Sequence, residues 1–247
     1  MSTIYEADNH LLICTKNTDP KLHSHSAAHI IISLDDDIEI ITANEKIKCK
    51  GILIPSRMFH TANTNNNKVL VFMFDNTTNV SNRIKSLELL SDEIVDQIVK
   101  SYYFFNKNDK SELGYRLFIN QITKSINIEV PQNRVRNQRI LDALKYIQSN
   151  LDEQLNCKDV ANFICLSEGR FSHLFKEQMG MTFSAYIIYQ RIIKTYTGII
   201  NGKSITEASI DAGFSSSSHF ASTNKKIFGL SAKIIKKDLH FQKIALI

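Results

Sequence analysis

The sequence predicts an α+β chain in two parts: a small N-terminal β-barrel or sandwich with following helices, then an all-α half in which two helix-turn-helix units are joined by a long helix. Three observations carry this expectation. RFSHLFKEQMGMTF (170–183) and HFASTNKKIFGLSA (219–232) align at one offset, pairing Phe171 with Phe220, Lys176 with Lys225, Gly180 with Gly229 and Thr182 with Ser231. Up to about residue 75 the apolar residues alternate or form short runs, whereas beyond about residue 81 they recur at spacings of three and four. Charge is segregated: residues 131–247 carry 16 Lys+Arg against 9 Asp+Glu, a net of +7, while residues 1–130 carry 14 against 16, a net of −2.

The first part reads as strands at IYEADNHLLICTK, HIIISLDDDIEIITANEKIKCKGILIP and KVLVFMFD, punctuated by Asp, Asn, Gly and Pro. From residue 81 the period becomes helical. Ile84, Leu87, Leu90, Ile94, Ile98 and Tyr102 fall on one face, and SELGYRLFINQITKSI supplies a second amphipathic stretch. These helices cover the open face of the β-structure, form a homodimer contact, or do both. EVPQNRVRNQ is polar throughout and contains one of three prolines. It reads as a linker at 129–138 between domains 1–128 and 139–247.

Each repeat follows a short helical pattern and a turn. In CKDVANFICLS, Val160, Ala161 and Ile164 share a face, Leu166 is expected to turn the chain, and Ser167 is placed to cap a helix starting at Glu168. In the second copy Ser204 and Glu207 have capping-box spacing, and Gly213 suits a turn with positive φ. Burying Phe171, Leu174, Phe175 and Met179 leaves Gly169, Arg170, Ser172, His173 and Lys176 outward. Burying Phe220 and Phe228 leaves Ser217, Ser218, Ser222, Lys225 and Lys226 outward. Such faces are either simply solvated or suited to a DNA groove; the repetition and the basic charge of this half favour DNA. Between the copies runs a pattern of about twenty helical residues, a rod of about 30 Å. One turn of B-DNA is about 34 Å.

From about Arg136 to Leu239 these residues resemble the DNA-binding domain of AraC/XylS-type transcription regulators, with ILDALKYIQSN as first helix and the GF, HF, KK and FG elements of the second motif as the more specific part. The resemblance implies base reading by Gly169, Ser172, His173, Ser218 and Ser222, while the basic Lys176, Arg191, Lys225 and Lys226 are the candidates for phosphate contacts. It implies a sequence-specific regulator, expected as an activator, acting on double-stranded promoter DNA and through RNA polymerase. The chain departs from the family at Asn224, where a buried Phe is usual, at Ser209 for Ala, and in SAKIIKK for the terminal Ser-Pro-x-x-Tyr-Arg. Looser packing of the second motif is therefore expected. Lacking Arg, Asn and Gln at the base-reading positions, the chain is expected to read DNA partly through shape and thymine methyl groups.

HSHSAAH (23–29) and GILIPSRMFHTAN (51–63) are similar to the two cupin motifs, with His29 where metal-binding cupins usually have glutamate. The resemblance implies an effector domain, in which His23, His25, His29 and His60 form a small-molecule effector pocket, a relict site or an interaction surface. No metal or other cofactor is expected, although four imidazoles on strands are able in principle to converge on one. The rival class is a metal-dependent cupin enzyme fused to a DNA-binding module. No Ser-His-Asp, Cys-His or paired-carboxylate pattern points to other catalysis, and a non-enzyme is expected. Cys14, Cys49, Cys157 and Cys165 form no CxxC pair and read as reduced, buried thiols. With no apolar run of membrane-spanning length and no basic-then-apolar N-terminus, a cytoplasmic location is the expectation.

Overall fold

A computed structural model describes residues 2–7, 10–16, 21–128, 137–229 and 239–243. The described residues divide into two compact units. One is Met1–Val130 with the described parts of Lys226–Leu230 and Leu239–Leu246; the other is mainly Pro131–Lys225. The described parts of the two C-terminal segments thus group with the first unit. Most of the expected linker, and SAKIIKK, lie outside the described residues.

The first unit begins with β1 (Ser2–Ala7), β2 (His10–Thr15), β3 (Ala28–Ser33), β4 (Ile38–Thr42), β5 (Lys46–Cys49), β6 (Gly51–Ile54), β7 (His60–Asn63) and β8 (Val69–Phe74). It continues through α1 (Asn79–Arg83), β9 (Glu88–Leu89), α2 (Asp92–Asn108) and α3 (Glu112–Ser125), and includes β10 (Leu239–Lys243). Among the described residues the strands form two sheets, a seven-stranded one of order β10-β1-β2-β8-β3-β6-β9 and a three-stranded one of order β5-β4-β7. The expected small barrel or sandwich is thus built, among the described residues, from two sheets. All named pairings are antiparallel except β1 with β10, which is parallel.

β2, β3 and β8 are buried at every position, because both faces of the sheet are covered. Leu12, Cys14, Ile30, Ile32, Leu70, Phe72 and Phe74 share a core with Val95, Ile98, Tyr102 and Phe105 of α2 and Tyr115, Phe118 and Ile122 of α3. Phe105 and Phe118 stack at 5.4 Å between ring centroids, and Tyr102 donates to Cys14 Sγ at 3.2 Å. Covering the sheet is therefore a task of these helices. The helical period read from residue 81 is too long: Glu88–Leu89 pairs with β6, and α2 starts only after Ser91, whose side chain accepts from Ile94 N–H. A strand of two residues is too short to register as alternation.

The second unit contains α4 (Gln138–Ser149), α5 (Cys157–Phe163), α6 (Glu168–Met179), α7 (Phe183–Ile200), α8 (Ile205–Asp211) and α9 (Ser217–Phe228, whose last residues fall in the first unit). Ser167 caps α6 and Thr182 caps α7, while Gly180 ends α6 in the left-handed region at φ 70°. The Ser204–Glu207 capping box is present, with Glu207 N–H donating to Ser204 Oγ at 3.2 Å and Ser204 N–H to Glu207 Oε2 at 2.9 Å. Ser216 Oγ accepts from His219 N–H at 3.0 Å, the geometry of a cap on α9. The turn residue of the first motif is Cys165, at φ 55°, rather than Leu166; Gly213, at φ 86°, takes that part in the second. Of the cysteines only Cys14 is buried, and Cys165 is exposed, because its turn faces solvent.

Candidate functional site

The repeat folds as α5-turn-α6 and α8-turn-α9, joined by α7. In the first pair, Phe171, Phe175 and Met179 are buried, and Gly169, Arg170, Ser172, His173 and Lys176 are all exposed. The residues left outward lie together because α6 is amphipathic and its apolar stripe is taken up by Phe183 and Tyr186 of α7. Ser172 Oγ lies 3.1 Å from Cys157 Sγ, and the imidazole of His173 is 3.9 Å from the Glu177 carboxylate. No Cβ at Gly169 would meet anything within 4 Å, so the start of α6 presents open backbone.

In the second pair, Ser218, Ser222, Lys225 and Lys226 are exposed and Ser217 half-buried, around buried Phe220, Asn224 and Phe228. Ser222 Oγ donates to the His219 carbonyl at 3.0 Å. Asn224 is fully buried, and its Oδ1 accepts from Tyr196 Oη at 2.6 Å. Ser209, also buried, donates to the Thr206 carbonyl at 3.0 Å. These two departures from the family pattern therefore have hydrogen-bonded partners, and the residue that accommodates Asn224 is a tyrosine from the joining helix.

Arg191, expected as a phosphate contact, is half-buried and hydrogen-bonded within the domain. Its Nε donates to the Leu151 carbonyl at 3.1 Å and its terminal nitrogen to the Glu153 carbonyl at 2.6 Å. A Cβ at Gly213 would lie 2.8 Å from the Leu151 oxygen and 2.9 Å from Arg191 Nε. The guanidinium thus ties α7 to the loop after α4 and seats the second turn. Sequence spacing showed a basic residue on the joining helix but not that loop carbonyls surround it.

These features decide the kind of domain. A family model described as a helix-turn-helix domain matches residues 160–237. The chain carries a helix-turn-helix domain that is similar to those of AraC-type regulators. The chain is 27% identical over 105 residues to the regulatory protein PocR of Salmonella typhimurium, a match covering 42% of this chain and 35% of PocR. The chain thus spans little more than a third of that relative's length. A longer match, 21% identical over 220 residues, covers 85% of this chain and 89% of the "Probable transcriptional regulator LumQ" of Photobacterium leiognathi. Among solved structures, ToxT from Vibrio cholerae shares the fold at a TM-score of 0.51, with 12% identity over 92% of this chain and 98% of ToxT. Among the described residues no helix is long and apolar enough to cross a membrane.

In the first unit His23, His25, His29 and His60 do come together. Ring centroids lie 5.3 Å apart for His23–His25, 5.2 Å for His23–His60, 4.4 Å for His25–His29 and 5.1 Å for both His25–His60 and His29–His60. The ladder makes this possible, since a bridge between residues 23 and 60 brings the segment before β3 alongside the start of β7. His25, His29 and His60 are buried and His23 is half-buried. Burial first, then the neighbouring His60 and His23, pushes His25 down to about 3. Burial likewise holds His29 well below its usual value and, with His23, His60 at about 4, against an opposing hydrogen bond to the Met58 carbonyl. Near neutral pH His25, His29 and His60 are uncharged imidazoles with lone pairs to offer.

Proposed function

We propose that the protein is a sequence-specific transcription regulator that grips double-stranded promoter DNA with α6 and α9 in two successive major grooves. The observation that carries this reading is the pair of capped helix-turn-helix units joined by a single helix of 18 residues. That helix measures about 27 Å at about 1.5 Å per residue, comparable with the pitch of B-DNA at about 34 Å. Ser172, His173, Ser218 and Ser222 are the proposed base-edge contacts, beside Gly169, where bare backbone allows close approach. Arg170, Lys176, Lys225 and Lys226 are the proposed phosphate contacts, with Ser217 at the start of α9. Phosphate contacts position a protein and base contacts specify its site.

Charge reversal at Lys225 (Lys225→Glu) is expected to weaken binding to all sequences alike and to reduce the slope of log K against log salt by about 1. Ser222→Ala or His173→Ala is expected to change sequence preference with little change in that slope. Binding isotherms at several salt concentrations, on specific and scrambled duplexes, separate the two classes; a shift in preference by Lys225→Glu would overturn the sorting.

The first unit is proposed to hold a small effector at the histidine pocket and to form a homodimer. Support for the dimer comes from Tyr103 and Phe104 on α2 and Leu113 and Leu117 on α3, large apolar side chains left 49–68% exposed. Control is proposed to act on RNA polymerase and to be activation. Transcription from a reporter promoter decides the direction: more transcript on adding the protein supports activation, less overturns it.

A further inference from the structure

The histidine pocket is more specific than a general effector site. One ring nitrogen each from His23, His25 and His60 lies within 4.8 Å of the other two. Ligand nitrogens around a tetrahedral zinc ion with Zn–N bonds of about 2.0–2.1 Å are about 3.3 Å apart. Side-chain rotation of about 1–2 Å closes that difference, and the strand bridge between His23 and His60 already fixes their backbones.

Two of the three rings are already set in the required tautomer. Nδ1 of His60 donates to the Met58 carbonyl at 2.9 Å, and Nδ1 of His23 to the Lys21 carbonyl at 2.7 Å. A carbonyl only accepts, so each Nδ1 carries the proton and each Nε2 is left with its lone pair. Backbone carbonyls holding the distal N–H of an imidazole are a recurrent support for metal-binding histidines. The third ring, His25, faces His29 nitrogen to nitrogen at 2.7 Å, so the pair shares one proton across that contact. Nδ1 of His25 and Nδ1 of His29 are buried with no well-aligned hydrogen bond, the backbone at Ala27 and at Phe72 offering only weaker contacts. Buried polar atoms left unsatisfied are costly, and a bound ion is one way to employ them.

The donor set also selects the ion. The group contains neither a carboxylate nor a thiolate, and His29 stands where the cupin pattern usually has glutamate. Neutral imidazoles suit zinc, nickel and copper; magnesium, calcium and manganese prefer oxygen donors. We propose that His23, His25 and His60 bind one divalent ion of the zinc, nickel or copper class, with His29 as the fourth imidazole beside it. This rests on reading the histidine pocket as the ligand site of the first unit, and replaces the expectation of no metal.

The test uses the full chain without a polyhistidine tag, stripped with a chelator and titrated with Co(II) and then Zn(II). One ion per chain is expected, with a Co(II) ligand-field band that Zn(II) abolishes, and X-ray absorption by the zinc form showing a nitrogen-only first shell with imidazole outer scattering. His23→Ala, at a half-buried position, and His60→Ala are each expected to lower affinity at least about tenfold. Far-ultraviolet circular dichroism checks that each variant is folded, and zinc should raise the melting temperature of the parent chain more than that of either variant. Absence of stoichiometric uptake overturns the proposal, as does uptake indifferent to both substitutions or a first shell containing sulfur. DNA binding by the same preparation is read separately: retained without metal uptake, it overturns the metal site and leaves the regulator standing.

Discussion

In the first helix-turn-helix unit α6 rests on a continuous aromatic cluster, Phe171, Phe175, Phe183 and Tyr186, with ring centroids 5.4–5.7 Å apart. In the second, α9 rests on Phe214 and Phe220 and on a fully buried hydrogen bond from Tyr196 to Asn224. Their turns differ in the opposite sense. The second turn has Gly213 in the left-handed region, where glycine costs least, and the first has Cys165 there. One motif has therefore been built twice from different materials: an aromatic core with a strained turn, and a polar pin with a relaxed turn. Aromatic packing tolerates small displacements, whereas a buried hydrogen bond fails if either partner is lost. The second unit is accordingly expected to be the more sensitive to single substitutions.

The largest expected effect is at Gly213. Gly213→Ala forces an L-residue into the left-handed region at a cost of about 1–2 kcal/mol, and its Cβ would meet the Leu151 carbonyl and Arg191 Nε, both closer than 3.0 Å. Urea denaturation of the full chain should show a loss above about 2 kcal/mol, with hydrogen exchange rising first in α8 and α9. Next comes Asn224→Ala, which strands the buried Tyr196 hydroxyl at a cost of about 1–3 kcal/mol. Adding Tyr196→Phe should recover part of that loss, and a double-mutant cycle showing no coupling would break the contrast drawn between the two cores.

Smaller effects test the caps and the first turn. Ser204→Ala removes one side of a reciprocal capping box and should cost about 1 kcal/mol, more than Ser167→Ala, whose cap is one-sided. Equal losses would mean that the Glu207 arm contributes nothing. Cys165→Gly should stabilise the chain by about 0.5–1 kcal/mol, the relief of left-handed strain less the entropy cost of glycine. Destabilisation would show that the Cys165 side chain supports the turn.

Much of this architecture was legible because periodic signals are local. The repeat, the caps at Ser167 and Ser204 and the exposed faces of α6 and α9 follow from spacing alone. Features that depend on distant partners were not legible. Asn224 read as a packing defect because its partner Tyr196 lies 28 residues away. Arg191 read as a phosphate contact, and its hydrogen bonds to the carbonyls of Leu151 and Glu153, some forty residues earlier, are invisible in a spacing pattern. β10 gave no usable signal, since a five-residue strand pairing with β1 across the length of the chain resembles any short apolar run. The histidines lay between these cases: two short motifs suggested that they meet, but the tautomers set by Lys21 and Met58 are a property of the fold.

Selection of bound sequences from random duplex DNA, with the purified full chain at near-physiological salt and with nonspecific competitor, tests the central claim most directly. Two short blocks separated centre to centre by about one helical turn, 10–10.5 base pairs, are the predicted result, with Ser222→Ala altering one block and His173→Ala the other. Enrichment of a single block, or uniform retention of all sequences by folded protein, would contradict recognition by two helix-turn-helix units acting in successive grooves.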